Sequence, residues 1–119
     1  MVEEKGIVNE NLEAVLQIRL LNGATIYSVL DTGFDGSLLL PRKFAKENSM
    51  HFLGPEKVML VEGISAEIET ALVKINWLSE EISIRIFISE TDDALIGTEM
   101  LVNSILEIDY KNRSVKITK

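Results

Sequence analysis

The chain has 119 residues, of which 46% are hydrophobic and 26% charged, a composition typical of one globular domain and not of a disordered segment. Its formal net charge of −7 argues against nucleic acid or an anionic membrane as the main partner. The chain has no cysteine and one histidine, which excludes disulfides, cysteine nucleophiles and multi-histidine metal sites. We therefore expect neither a metal nor a cofactor.

The first residues contain no recognisable targeting signal. Residues 1–5 are largely acidic and lack the apolar centre of a signal peptide, and no stretch approaches membrane-spanning length. A cytoplasmic protein is the expectation. Because no linker, repeat or low-complexity segment interrupts the chain, a single domain over residues 1–119 is predicted.

Alternation of apolar and polar side chains, together with short apolar runs, predicts a chain made mainly of strands. The predicted strands lie, in chain order, over residues 12–21, 25–30, 37–40, 58–61, 66–75, 82–88, 106–110 and 114–118. Asn22-Gly23 is a strong signal for a hairpin between the first two. Short helices are predicted over residues 42–48, directly after Pro41, and over residues 98–102. The predicted class is all-β with one or two short helices.

Glycine-containing segments predict two further connections. Gly54-Pro55 indicates a loop before the fourth strand. Residues 62–65, between two strand patterns, predict the mobile tip of a long hairpin.

The tripeptide Asp31-Thr32-Gly33 is the most informative motif in the chain. It follows a buried strand, although aspartate is disfavoured in strands and is costly to bury unpaired. Two facing aspartates can share a proton and activate a water molecule, and a symmetric dimer would supply the second one from an identical chain.

Asp31-Thr32-Gly33, joined to the later run Leu95-Ile96-Gly97 and a short helix, resembles the retropepsin-like aspartic proteases. The form Asp-Thr-Gly-Phe, read through residues 31–41, is similar to a prokaryotic branch of that group. The resemblance implies a single-lobe closed β-barrel with a flap hairpin. It also implies an aspartic endopeptidase that works as a homodimer and hydrolyses extended or unfolded peptides, using water held between two Asp31 carboxyls that titrate as one coupled unit.

The same resemblance assigns roles to individual residues. Those at the catalytic centre would be Asp31, Thr32 and Gly33. Those that contact substrate would be Phe34, Asp35, Gly36, Glu62, Gly63, Ile64 and Ser65, the last four in the flap. Those that support the aspartate loop would be Leu95, Ile96 and Gly97.

The chain departs from the viral members of this group at two positions. Phe34 stands where they have a small residue, so we expect its ring to narrow the adjoining pocket or to form part of it. Viral members also tend to have an arginine after the glycine of the apolar run, paired with the acid at the position of Asp35. This chain has Thr98 there, so Asp35 is expected to lack that partner.

Other interpretations of the same residues stay open. Asp31-Thr32-Gly33 could be an ordinary turn, since Asp and Gly are common turn residues. The same fold could also be a non-catalytic or very slow peptide-binding or dimerisation module. A β-rich structural protein without peptide affinity fits the composition but leaves Asp31 unexplained. A one-chain pair of Asp31 and Asp35 for glycoside hydrolysis is discounted because no sugar-stacking aromatic residues accompany it.

Overall fold

The computed structural model describes residues 2–119, apart from the side chains of residues 60 and 61. Within that part, its ten strands are β1 (Glu3–Val8), β2 (Ala14–Leu20), β3 (Thr25–Leu30), β4 (Leu38–Pro41), β5 (His51–Val61), β6 (Ile64–Trp77), β7 (Glu80–Ser89), β8 (Leu95–Ile96), β9 (Ile105–Asp109) and β10 (Ser114–Thr118). Helix α1 covers Arg42–Glu47, and a 3₁₀ turn covers Thr98–Leu101. Neither helical segment of the described chain has the length and apolarity needed to cross a membrane. The predicted all-β class is confirmed.

All ten strands belong to one sheet, which closes on itself. Its order is β5-β6-β7-β4-β8-β3-β2-β1-β10-β9, and an additional pairing of β2 with β6 joins six of the strands into a ring. Alternate residues of β2 point into this ring, and Leu16 and Ile18 are almost completely buried there. Each fully buried aliphatic side chain of this kind contributes about 1.5–3 kcal/mol, so the ring is a rigid support for the loops at its ends.

The amino-terminal strand β1 was not predicted from the sequence. It pairs with β2 on one side and with β10 on the other, within the same chain. Its charged start, Glu3-Glu4-Lys5, gives no apolar alternation to detect. The inward position is nevertheless occupied by Glu4, whose carboxylate accepts two hydrogen bonds from Arg19 Nη2, at 2.9 and 3.0 Å, and one from the backbone N–H of Leu78 at 2.8 Å.

The loop predicted at Gly54-Pro55 is wrong, because both residues lie inside β5. The pairing of β5 with β6 is irregular between Phe52 and Gly54, and Gly54 has a φ of +96°. Such a bulge lets a strand continue through residues that a regular ladder disfavours. Thr70 Oγ1 on β6 donates a hydrogen bond to the Gly54 carbonyl at 2.9 Å and closes the irregular segment.

The long hairpin predicted around residues 62–65 is present, with a tighter tip than expected. The turn consists of Glu62 and Gly63, and Gly63 has a φ of +75°, a conformation that favours glycine. Ile64 and Ser65 already belong to β6. The end of the hairpin is exposed and carries apolar side chains, among them Met59 and Ile64.

A second electrostatic contact joins α1 to the sheet. Arg42 Nε and Nη2 donate hydrogen bonds to Glu90 at 2.8 and 2.6 Å, and Arg42 Nη1 donates to Glu69 on β6. The hydrogen bonds from Arg42 hold the pKa of Glu90 below its ordinary value of 4.5. These hydrogen bonds join α1 to β6 and to the residue that follows β7.

We predict that Glu4→Gln lowers the free energy of unfolding by about 2–4 kcal/mol, because a charged acceptor for three hydrogen bonds is lost from a buried position. Urea unfolding at neutral pH measures the change. The matched control is Glu3→Gln, since Glu3 pairs with the largely exposed Lys5 and exposed pairs contribute little. Equal losses in the two variants would contradict the assigned role of Glu4.

The Arg42–Glu90 contact predicts a pH-dependent stability difference. A carboxyl whose pKa is lowered by folding stabilises the protein fully above its ordinary pKa, and the stabilisation is lost as the pH falls through the lowered value. Arg42→Gln should therefore destabilise the protein most above about pH 5, with a smaller difference from wild type in more acidic solution. Thermal unfolding across pH at low salt tests this, with Lys43→Gln on the same helix as the control. A difference that does not vary with pH would contradict it.

Candidate active site

The aspartate motif occupies a loop that wraps around the end of β8. Strand β3 pairs with β8 in parallel, with Leu30 opposite Ile96, and β4 pairs with the other side of β8, with Leu38 opposite the same Ile96. The connection between β3 and β4, residues 31–37, must therefore pass around the residue that follows Ile96. That residue is Gly97.

Backbone hydrogen bonds hold this loop from both sides. The N–H of Asp31 donates to the Ile96 carbonyl at 2.9 Å, and the N–H of Gly97 donates to the Ser37 carbonyl at 2.7 Å. The N–H of Thr98 donates to the Phe34 carbonyl at 2.9 Å. Both ends and the middle of the loop are thus attached to consecutive residues of one short segment, which limits how far Asp31 can move.

Asp31 is half-buried as a residue, and its carboxylate accepts a hydrogen bond from the backbone N–H of Gly33 at 2.9 Å. Thr32 and Gly33 are exposed, and no described residue hydrogen-bonds the Thr32 hydroxyl. Asp31 therefore has one oxygen fixed by its own loop, while the tip of the loop faces outward. None of the described residues form a cluster of His, Cys, Asp and Glu that could hold a metal ion.

Gly97 is required by the close passage of the loop. A Cβ atom at this position would lie 2.0 Å from the Gly36 carbonyl oxygen and 2.8 Å from the Phe34 ring. A Cβ atom at Gly36 would likewise lie 2.7 Å from the same ring. The Phe34 ring fills the space left by both glycines, and it packs edge-to-face with the Phe87 ring, with the ring centroids 6.1 Å apart.

A cleft of about 300 Å³ adjoins the aspartate loop. Its lining combines the loop, the ring and the long hairpin, and consists of Gly33, Phe34, Asp35, Leu39, Val58, Met59, Ile68 and Phe87. Phe34 therefore forms part of the pocket wall, one of the two outcomes expected from the sequence. Larger clefts of about 490 and 720 Å³ lie elsewhere, but none of the sequence-predicted site residues line them.

The predicted site residues are only partly gathered around this cleft. Gly33, Phe34 and Asp35 line it, and the predicted support residues Leu95, Ile96 and Gly97 lie behind the loop. The hairpin tip is exposed and contributes none of the lining. The sequence-predicted residues at this tip are Glu62, Gly63, Ile64 and Ser65.

Sequence reasoning missed the apolar residues that come from outside the motif. Val58, Met59 and Ile68 belong to the arms of the hairpin, and Leu39 and Phe87 lie on two parallel strands, directly opposite each other. The alternation in β7 could have indicated the side on which Phe87 lies, but alternation fails in β5, where the adjacent residues Val58 and Met59 both line the cleft. Only the pairing of strands distant in sequence could bring them to the same cleft.

Asp35 is exposed and takes no part in an ion pair within the described chain. Thr98 occupies the position at which the viral members tend to have an arginine. Its backbone N–H and its hydroxyl donate hydrogen bonds to the Phe34 carbonyl, at 2.9 and 3.4 Å. Thr98 thus supports the loop and leaves the Asp35 charge unneutralised.

Known structures with the same architecture share little sequence with this chain. A crystal structure of a retropepsin-like aspartic protease from Rickettsia conorii matches 97% of this chain and 89% of its own, with 16% identity and a TM-score of 0.61. The EIAV protease in complex with the inhibitor HBY-793 matches 80% of this chain and 90% of its own, with 18% identity and a TM-score of 0.63.

The chain has the retropepsin-like fold. A third match, the foamy viral protease-reverse transcriptase bound to an RNA/DNA hybrid, covers 74% of this chain but 11% of that longer one, with 16% identity and a TM-score of 0.53. No protein-family model matches the chain, and neither does the sequence of any curated protein. The likeness therefore lies in backbone architecture, and the chemistry must be argued from the residues of the site.

We predict that Gly97→Ala destabilises the protein by about 3 kcal/mol or more, because the added methyl group meets a backbone carbonyl that cannot move without displacing the aspartate loop. Urea unfolding measures the loss. In Gly63→Ala, the Cβ meets no neighbouring atom and only the positive φ is unfavourable, so a loss of about 1 kcal/mol is expected. A Gly97→Ala variant as stable as wild type would contradict the close passage.

Proposed function

We propose that this protein is an aspartic endopeptidase that is active as a homodimer. The observation that carries the proposal is the position of Asp31, a half-buried residue on a hydrogen-bonded loop beside an apolar cleft that the long hairpin helps to line. A carboxylate close to a groove that an extended chain could enter is suited to acid–base chemistry on a peptide.

The dimer is needed because each chain supplies one Asp31 in an aspartate loop. Two such loops related by a twofold axis would bring two identical carboxyls together. Two carboxyl groups in contact cannot both ionise without a large electrostatic cost, so the pair would share one proton at mildly acidic pH. The exposed tip of the loop, Thr32 and Gly33, is available for such a contact.

The reaction is the addition of water to a peptide carbonyl. The ionised Asp31 takes a proton from the water as its oxygen attacks the carbonyl carbon, while the protonated Asp31 of the other chain donates a hydrogen bond to the carbonyl oxygen. The tetrahedral intermediate then collapses: the Asp31 carboxyl that took the proton from water gives it to the amide nitrogen, the C=O bond re-forms and the C–N bond breaks. The products are a carboxylic acid and an amine, and no covalent enzyme intermediate forms.

The loop would keep the catalytic groups in position. The Gly33 N–H holds one oxygen of Asp31, so a group that must change its charge during the reaction does not need to reorient. The Thr32 hydroxyl would bond to the partner loop across the axis. Small errors in the relative position of two reacting groups are costly, which explains the need for such rigid attachment.

A substrate would bind in extended form between the aspartate loop and the β5–β6 hairpin. Its backbone would hydrogen-bond as an added strand, and one side chain would enter the cleft formed by Phe34, Leu39 and Phe87. The hairpin tip around Gly63 would close over the peptide and exclude water from the reacting groups. An unfolded or extended segment fits this geometry better than a folded protein.

The decisive experiment compares wild type with Asp31→Asn on denatured protein substrates from acidic to neutral pH. We expect cleavage by wild type, favoured at mildly acidic pH because one carboxyl must keep its proton, and a fall of about 10²- to 10⁴-fold or more in the variant. Asp92→Asn, an equal change of charge in an exposed turn, should cleave like wild type.

Two results would count against the proposal. Equal cleavage by wild type and Asp31→Asn would assign the activity to a contaminant, and a strictly monomeric protein in sedimentation experiments would remove the second carboxyl. Tight binding of a peptide-like hydroxyl inhibitor without detectable turnover would favour the alternative, a peptide-binding module on the same fold.

A further inference from the structure

Asp35 is the one charged residue among the described residues that line the cleft beside Asp31. The other lining residues are a glycine and six apolar side chains: Gly33, Phe34, Leu39, Val58, Met59, Ile68 and Phe87. In the free protein Asp35 is exposed and solvent screens its charge, but a molecule bound against the apolar lining would displace part of that solvent and strengthen the interaction with the charge.

The two arginines near the hairpin form ion pairs with glutamates and not with Asp35. Arg85 on β7 pairs with Glu56 at 3.6 Å, and Arg42 pairs with Glu69 and Glu90. Lys57, next to the cleft residue Val58, is exposed and is not among the residues that line the cleft, and no ion pair of the described chain includes Asp35. No cation of the described chain therefore neutralises Asp35.

A peptide that fills this cleft will remove water from Asp35. Displacing water from a carboxylate is costly unless a donor replaces it, and a positively charged donor replaces it best. An acidic side chain at the same place would add repulsion, in a chain that already carries a net charge of −7. The cleft can thus discriminate between substrates by charge as well as by apolar contact.

We propose that Asp35 is a specificity-determining residue that selects peptides with a lysine or arginine beside the apolar side chain that enters the cleft. The inference rests on the proposed function, since it concerns the substrate class of the same site. It assigns no part of the bond-breaking step to Asp35. Its role is to bind a cationic side chain of the substrate.

The test measures binding, so that it does not depend on turnover. Fluorescence anisotropy of labelled peptides is measured with the Asp31→Asn variant near neutral pH. The peptides share one apolar extended sequence, in which lysine, the uncharged isostere norleucine or glutamate is placed at each position in turn.

At one position we expect lysine to bind about two- to fivefold more tightly than norleucine, and glutamate more weakly than both, as for a partly exposed ion pair. The preference should decrease as salt is added. It should disappear when Asp35→Asn is combined with Asp31→Asn, and it should remain with Asp35→Glu, which keeps the charge. Asp35 is exposed, so thermal unfolding should be almost unchanged in both variants.

The matched control combines Asp92→Asn with Asp31→Asn and removes one negative charge away from the cleft. If lysine is preferred equally with and without Asp35, the net charge of the chain is responsible and the inference is wrong. It is also overturned if no position shows a charge preference or if no peptide binds.

A parallel assay of norleucine-peptide cleavage by wild type distinguishes an error in the role of Asp35 from an error in the proposed endopeptidase function. Wild-type protein that cleaves them without charge preference would keep the endopeptidase proposal and remove only the role of Asp35.

Discussion

The passage of one backbone segment against another at Gly97 is the constraint on which the site depends. The aspartate loop and the segment after β8 approach so closely that a single Cβ atom would lie 2.0 Å from the Gly36 carbonyl oxygen. This approach allows three backbone hydrogen bonds between the loop and residues 96–98, and these bonds fix the position of Asp31. Packing of this kind tolerates little change, since protein interiors are as dense as organic crystals.

The same constraint determines the shape and the charge of the cleft. Gly36 and Gly97 leave a space, and the Phe34 ring fills it and packs edge-to-face with the Phe87 ring. A ring in that position supports the loop from within and at the same time forms a wall of the cleft. The next residue, Asp35, then lies at the cleft with an unneutralised charge, because Thr98 bonds to the backbone of Phe34 and supplies no cation.

The strands at the two ends of the chain fold together within one molecule. Strand β1 fills the place between β2 and β10, and the buried Glu4 joins it to Arg19 and to the turn after β6. Strand β10 pairs with β1 on one edge and with β9 on the other, so β9 is the last strand of the sheet at that end. The ring and the terminal strands form one continuous support behind the aspartate loop, and the exposed tip of that loop and the hairpin lie outside it.

Much of the architecture was predictable because it depends on local patterns. Alternation in β2 and β7, the Asn22-Gly23 turn and the glycine at the hairpin tip are properties of adjacent residues, and each led to a correct element. The motif Asp31-Thr32-Gly33 and its later companion Leu95-Ile96-Gly97 also indicated the fold, through their resemblance to the retropepsin-like aspartic proteases.

Tertiary structure decided what local pattern could not. Strand β1 is held by pairing and by a buried carboxylate, and β5 continues through Gly54-Pro55 because its partner strand accepts a bulge. The lining of the cleft joins residues from β4, β5, β6 and β7, which only the closed ring brings together. The sequence by itself predicted the candidate site residues and determined most of the strands, those with apolar alternation or short apolar runs, since these follow from neighbouring side chains. Their distances, the role of the Phe34 ring and the isolation of the Asp35 charge come from contacts between segments far apart in the chain.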